Sequence, residues 1–161
     1  MLLLKSQIIM EKKSLIRNIL FNTKEMIGNI INEINSTKDH EYRKELIFLL
    51  VDHFKDDRII PTLIHLIQRT DLQHYNGSFI FACNEYSPNE CKKYLDLFVD
   101  LVIDGDYEAS MSASALIHDF SEPYDWDEKL LDKLAEKLRT ALKTKNQNRE
   151  FIEVVLNIFK E

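Results

Sequence analysis

Leu50-Val51-Asp52-His53-Phe54, Ala82-Cys83-Asn84-Glu85-Tyr86 and Leu116-Ile117-His118-Asp119-Phe120 follow one pattern: two apolar residues, two polar residues and an aromatic ring. The rings stand 32 residues apart (Phe54 to Tyr86) and then 34 (Tyr86 to Phe120). Each pentad closes a stretch of helical apolar spacing and is followed by a polar turn and a second amphipathic stretch. A period of this size marks a chain built from helical hairpins. One such hairpin cannot cover its own apolar face, so neighbours stack and bury it jointly.

The hairpins can be read outward from these pentads. Residues 41–54 carry Leu46, Leu49, Leu50 and Phe54 on one predicted helical face. Lys55-Asp56-Asp57 turns the chain, Asp57 is placed to cap the next helix, and Pro61 fits a first turn whose amides lack intrahelical acceptors. Leu63, Ile64, Leu66 and Ile67 continue that helix. The second pair begins with a helix from Tyr75 to Tyr86. Ser87-Pro88-Asn89-Glu90 then reads as a capping box, with Ser87 at the N-cap and Glu90 reaching back. Leu95, Phe98, Val99 and Val102 mark its second helix, and Gly105 is placed for a left-handed C-cap. The third pair runs from Tyr107 to Phe120 and then through Leu130, Leu131, Leu134 and Leu138, with Asp125 as N-cap and Glu128 at N3. A last helix near residues 147–159 has Phe151, Val154, Val155 and Ile158 at i, i+3, i+4 and i+7. At the other end, Asp39 caps the 41–54 helix. Residues 12–35 read as one helix or two, with Asn22-Thr23 as the candidate break.

Asp57-Arg58-Ile59-Ile60-Pro61-Thr62-Leu63-Ile64 resembles the start of a second helix in HEAT repeats, and over residues 41–142 the chain resembles that family. Tyr75-Asn76-Gly77-Ser78-Phe79 and Asp106-Tyr107-Glu108-Ala109 are similar to features of small bacterial HEAT-like proteins. The second pair departs from the pattern, having Lys92-Lys93 and no Asp-Arg at its helix start. The resemblance implies an all-α fold: a single domain over residues 1–161, a right-handed α-α superhelix of about three HEAT-like helical hairpins with N- and C-terminal capping helices. It implies architecture far more than function.

Composition agrees with long helices and short loops. There are three Gly and three Pro in 161 residues, too few for the many turns of a β-rich domain. Cys83 and Cys91 match no zinc or redox spacing and read as thiols in a reducing compartment, Cys83 being buried. The apolar start Met1-Leu2-Leu3-Leu4 is stopped by Lys5, no signal-peptide cleavage pattern follows, and no apolar run reaches the roughly 20 residues of a membrane span. A cytoplasmic protein without membrane contact is expected. The sequons Asn35-Ser36-Thr37 and Asn76-Gly77-Ser78 carry no weight without secretion.

The net charge of −6 hides a segregation. Residues 71–128 hold thirteen Asp or Glu against two basic residues, Lys92 and Lys93, and ten of the sixteen aromatic rings. Solvated helix faces normally mix both signs, so the bias points to a surface for a basic partner. Phe79, Phe98 and Phe120 read as core. Gly77 inside a predicted helix reads as a close-packing position. Caps account for part of the acid, at Glu90, Asp106, Asp125 and Glu128. The candidate contact residues are Asp96, Asp100 and Asp104 along one helix, the turn Asp106-Tyr107-Glu108, and Glu122, Tyr124, Asp125, Trp126 and Asp127. Tyr and Trp beside acid in turns are typical of interface hot spots.

Catalytic signatures are absent from the sequence. His40, His53, His65, His74 and His118 form no HExxH or similar metal spacing, and no phosphate loop, nucleophile elbow or Cys/His pair is found. The expectation is a non-enzymatic protein-binding module without metal or cofactor. Its expected partner is a basic protein, and one version is an immunity protein neutralising a cationic toxin domain. A domain that holds phosphates must itself be basic, and an acidic blocker gains steered association with it. Nucleic-acid binding is disfavoured, because the aromatics coincide with acid that repels phosphate. The alternatives are a HEAT-like enzyme of lyase or DNA-glycosylase type, or a structural assembly subunit. The sequence leaves the oligomeric state open.

Overall fold

The computed structural model of the chain describes residues 22–120, 127–144 and 147–159, and every regular element among them is helical. The chain divides between Phe54 and Lys55 into two compact units.

In the first unit a helix over residues 22–36 (α1) is followed by α2, His40–His53. Asp39 caps α2 by accepting the amide of Tyr42 at 3.1 Å, as its position predicts. The expected break at Asn22-Thr23 falls at the edge of the described residues. Ile27, Ile34, Ile47, Leu50 and Val51 form the core. The buried stripe of α2 is therefore Arg43, Ile47, Leu50 and Val51, not the expected Leu46, Leu49, Leu50 and Phe54; Leu49 is exposed. A charged residue lies on the inner face because it has work there. Arg43, 1 % exposed, donates from Nε to the Ile34 carbonyl at 3.0 Å, from its guanidinium to the Thr37 carbonyl, and meets His40 Nδ1 at 2.8 Å. The last carbonyls of a helix have no intrahelical donors, and a cation there also meets the negative end of the dipole. After α2 the chain turns at Lys55, whose φ of 40° is the left-handed conformation usually given to glycine.

The second unit contains α3 (Ile60–Ile67), α4 (Asn76–Cys83), α5 (Pro88–Cys91), α6 (Leu95–Asp104), α7 (Tyr107–Phe120), α8 (Glu128–Lys143) and α9 (Arg149–Ile158), with 3-10 turns over Asp57–Ile59, Thr70–Tyr75 and Lys92–Tyr94. The expected single helix from Tyr75 to Tyr86 is thus shorter at both ends, and the one leading into Leu95 is broken into α5, a 3-10 turn and α6. α3 is apolar almost all round, and Ile60, Leu63, Ile64, Leu66 and Ile67 are all buried. α7 sits at the centre, packed on α4, α6 and α9. Its inner face is made of small residues, Ala109, Ser110, Ala113 and Ser114, before Leu116, Ile117 and Phe120 fill the far end. Small side chains let neighbouring helices come close. α4 uses this approach at Gly77, where an added Cβ would stand 2.9 Å from Glu108 Cβ and 3.3 Å from its carbonyl carbon. Close packing is indeed what this glycine does.

Burial in α4 and α7 follows the pentads. Ala82 and Cys83, and Leu116 and Ile117, are buried, as are the closing rings of Tyr86 and Phe120. Two of their polar positions are joined, Asn84 Nδ2 donating to Asp119 Oδ2 at 2.9 Å, and in the turns that follow the first two pentads the Ser87 amide donates to Asp57 Oδ1 at 3.1 Å. The second bond revises two expectations. Asp56, not Asp57, caps the turn before α3, accepting the Arg58 amide. The Ser87 amide goes to Asp57 and not to Glu90, which pairs with Lys93 at 2.5 Å. In α9 the buried face is Ile152, Val155 and Leu156, while Val154 is exposed and Phe151 meets Tyr107 edge-on at 5.3 Å. The two possible stripes share Val155, and packing on α7 selects the one with Ile152 and Leu156.

Gly77→Ala tests the approach of α4 to α7. Helix propensity alone favours Ala by about 1 kcal/mol, whereas forcing a methyl into a packed contact costs about 1–3 kcal/mol. Urea unfolding should show a net loss of up to about 2 kcal/mol, and a gain would contradict the close contact.

Candidate functional site

The acidic residues nominated from sequence converge only in part. α6 presents Asp96, Asp100 and Asp104 at i, i+4 and i+8, which is one helical face. α8 covers its first two positions. Asp96 accepts from Lys133 Nζ at 3.0 Å and Lys137 Nζ at 3.1 Å, and Lys137 also pairs with Asp100. Hydrogen bonds from Lys133 and Lys137 hold the Asp96 carboxyl below the usual carboxylate range. Burial pulls the Lys137 ammonium down, and its bonds to Asp100 and Asp96 more than offset this, so it titrates above an ordinary lysine. Asp104 makes no hydrogen bond or ion pair with a described residue. The acidic stripe is therefore neutralised at one end and open at the other.

At the open end α6 stops at Gly105. The expected left-handed cap is not formed; Gly105 has φ −66° and ψ 162°. Its glycine is required by space, because a Cβ would stand 2.4 Å from the Leu101 carbonyl oxygen and 3.0 Å from Ala109 Cβ. Without the usual reversal of chain, the last carbonyls of α6 need donors from elsewhere. Ser110 Oγ donates to the Leu101 and Gly105 carbonyls at 2.9 and 3.2 Å. Asn148, buried just before α9, donates from Nδ2 to the Ile103 and Gly105 carbonyls at 3.1 and 2.8 Å. Sequence reading passed over Asn148 because its partners lie more than forty residues away in the chain.

Asp106 caps α7, accepting the Ala109 amide at 2.9 Å, as expected. Tyr107 follows, 62 % exposed, and Glu108 sits over Gly77 with its carboxylate at the surface. Between the start of α4, the end of α6 and the start of α7 lies a groove of about 280 Å³, lined by Gln73, His74, Asn76, Leu97, Asp100, Leu101, Asp104, Gly105, Asp106 and Ala109. Three of the nominated acids thus share one concavity. Asp127 is elsewhere employed: it is the N-cap of α8, accepting the amides of Lys129 and Leu130 at 2.9 and 3.2 Å. The cap expected from sequence, Asp125, lies with Glu122, Tyr124 and Trp126 outside the described residues.

Among the described residues no group of three or more His, Cys, Asp or Glu is arranged to hold a metal ion, and no helix is long and apolar enough to cross a membrane. Cys83 and Cys91 are both buried free thiols, Cys91 Sγ lying 3.5 Å from the Cys83 carbonyl oxygen; a hydrogen-bond contact with Cys91 and burial push the Cys83 thiol well up, away from reactive thiolate. Comparison with known proteins finds no family model, no curated protein and no solved structure that matches this chain.

The pairing of Asp96 has a pH signature. A carboxyl depressed in the folded state stabilises above its unfolded pKa of about 4 and loses that contribution as pH falls through the folded value. At 48 % side-chain exposure the contribution is small. Asp96→Asn should lower stability by about 0.5 kcal/mol at pH 7, and the gap to the parent should close as pH falls below about 4. A gap independent of pH contradicts the ion pairs. Asn148→Ala should cost about 1–3 kcal/mol by removing two hydrogen bonds, those its side chain gives to the Ile103 and Gly105 carbonyls. Asn148→Asp should cost more, since it sets a carboxylate against them, and equal losses would place the bonds elsewhere.

Proposed function

We propose that this chain is a non-enzymatic binding module that holds a basic protein through the acidic surface at the α6–α7 junction. The observation that carries the reading is the convergence of Asp100, Asp104 and Asp106 on one groove, with exposed Tyr107 and Glu108 beside it. Like charges gathered at a surface concavity focus the potential and steer an oppositely charged partner. Tyr107 adds apolar area with a polar tip, anchored edge-on against Phe151. Asp96 is assigned a smaller part than the sequence suggested, because two lysines of α8 already occupy it.

The architecture proposed for the module is a stack of HEAT-like hairpins with right-handed superhelical sense. What supports it is the packing of α4 on α7, the first helices of successive pairs, together with α6 on α8, the second helices. Two hydrogen bonds, Ser87 amide to Asp57 and Asn84 to Asp119, link successive pairs. In such a stack the junction of α6 and α7 is the point where one hairpin hands over to the next. A cationic toxin domain, basic because it must hold phosphates, is a partner of the proposed chemistry, and the chain would then serve as its immunity protein in the cytoplasm.

Affinity capture from the native cell tests this reading, with the parent chain and the double variant Asp104→Lys, Glu108→Lys compared side by side. Both residues are exposed, so the variant should fold. A basic protein should be retained by the parent, released as salt rises from about 0.05 to about 0.5 M, and reduced roughly tenfold or more on the variant. Equal capture by both would show that this acid is not the contact surface.

A further inference from the structure

The groove has a floor as well as an acidic rim. Asn76, the first residue of α4, lines it, is only 4 % exposed, and has a side-chain oxygen that accepts no hydrogen bond. Buried polar atoms in folded proteins are nearly always paired, and one left open beside a concavity calls for a donor that arrives from that side. On the rim, Asp106 engages one carboxylate oxygen with the Ala109 amide, and Asp104 is open. Leu97 and Leu101 supply apolar wall between them.

These features select among cations. Among the described residues no group of three or more His, Cys, Asp or Glu is arranged to hold a metal ion, so the fitting ligand is an organic cation with several donors. A guanidinium is one: five N–H groups lie in one plane, and the group is weakly hydrated and tolerates partial burial. An ammonium concentrates its charge at one point and resists losing water. A flexible apolar stem lying on Leu97 and Leu101 completes the match to an arginine side chain.

We propose that the groove is an arginine subsite, in which one arginine of the partner donates to Asp104, Asp106 and the side-chain oxygen of Asn76. The proposal rests on the reading of this surface as the partner contact and adds the residue type that it takes. Lys137 holds Asp100 as the inner wall, leaving the outer acids for the ligand.

The test is an NMR titration of the full chain with N-acetyl-arginine amide, and in parallel with N-acetyl-lysine amide. Saturable binding with a Kd on the order of a few millimolar is expected for so small a ligand, with the largest shifts at the Asn76 side-chain amide and the Asp104 carboxyl. The lysine compound should bind at least about tenfold more weakly. Asn76→Leu removes the acceptor and Asp104→Asn removes the charge. Each should weaken the arginine compound about tenfold, and the second, at an exposed position, leaves the helix start untouched. Absence of saturation, equal affinity for the lysine compound, or shifts centred away from the groove overturns the subsite. If the subsite fails while Asp104→Lys, Glu108→Lys still loses the partner, the acidic surface stands without an arginine pocket. If arginine seats in the groove while partner capture ignores the charge reversal, the subsite stands and the protein-contact reading falls.

Discussion

The end of α6 is where the second unit is held together. An α-helix leaves four carbonyls without intrahelical donors. The usual solution, a glycine in the left-handed conformation, is not taken, because Gly105 continues in an extended direction. The Gly105 amide still closes on the Leu101 carbonyl, and Ser110 of α7 and Asn148 ahead of α9 add donors to the Leu101, Ile103 and Gly105 carbonyls. Three helices are therefore fixed at one point by hydrogen bonds that are satisfied only when all three are in place. Gly105 must lack a side chain for Ala109 and Ser110 to come this close, and Gly77 must lack one for α4 to reach Glu108 on the same turn of α7. Each constraint is steric or a matter of unpaired carbonyls, and together they set the walls of the acidic groove.

The same geometry sorts the acid of the chain by employment. Asp106 and Asp127 are caps, Asp57 accepts an amide from the neighbouring hairpin, Glu90 faces Lys93, and Asp96 and Asp100 are paired with lysines of α8. Each of these carboxylates has a structural reason to be there. Asp104 makes no hydrogen bond or ion pair with a described residue, and Glu108, across the turn that follows α6, has only the general preference of a carboxylate for the first turn of a helix. A charge without a structural task, beside a buried oxygen without a donor at Asn76, is a stronger sign of a ligand than total acidity.

Much of this was legible in the sequence, and the failures have common causes. The pentads marked burial correctly in both α4 and α7 because two apolar residues before two polar ones fix a face whatever surrounds them, and they marked helix correctly in α7, whereas α4 ends at Cys83, inside its pentad. Gly77 was readable as a packing position because glycine in a helix is costly without such a reason. The caps at Asp39 and Asp106 followed from local chemistry. The misplacements at Ser87 and Asp57 arose where two acids or two turns compete and a distant partner decides between them, whereas at α8 two acids two residues apart offer the same local cap and Asp127 takes it. The stripes of α2 and α9 were each misread around residues they share with the true face, since a 3.6-residue period allows neighbouring stripes. Arg43 and Asn148 were invisible for a different reason: their partners are carbonyls, which every residue has and no sequence pattern marks. The pairing of Asp96 and Asp100 with α8 likewise depends on which helices pack, a fact carried by no single segment.

The central claim is that the partner meets this chain at the α6–α7 junction. Hydrogen–deuterium exchange of the chain alone and in complex with the basic protein captured from its native cell tests it most directly. The account predicts that protection on binding is concentrated in peptides spanning residues 73–77 and 100–109, with residues 22–54 unchanged. Protection confined to the first unit, or to α3 and α5, would contradict it.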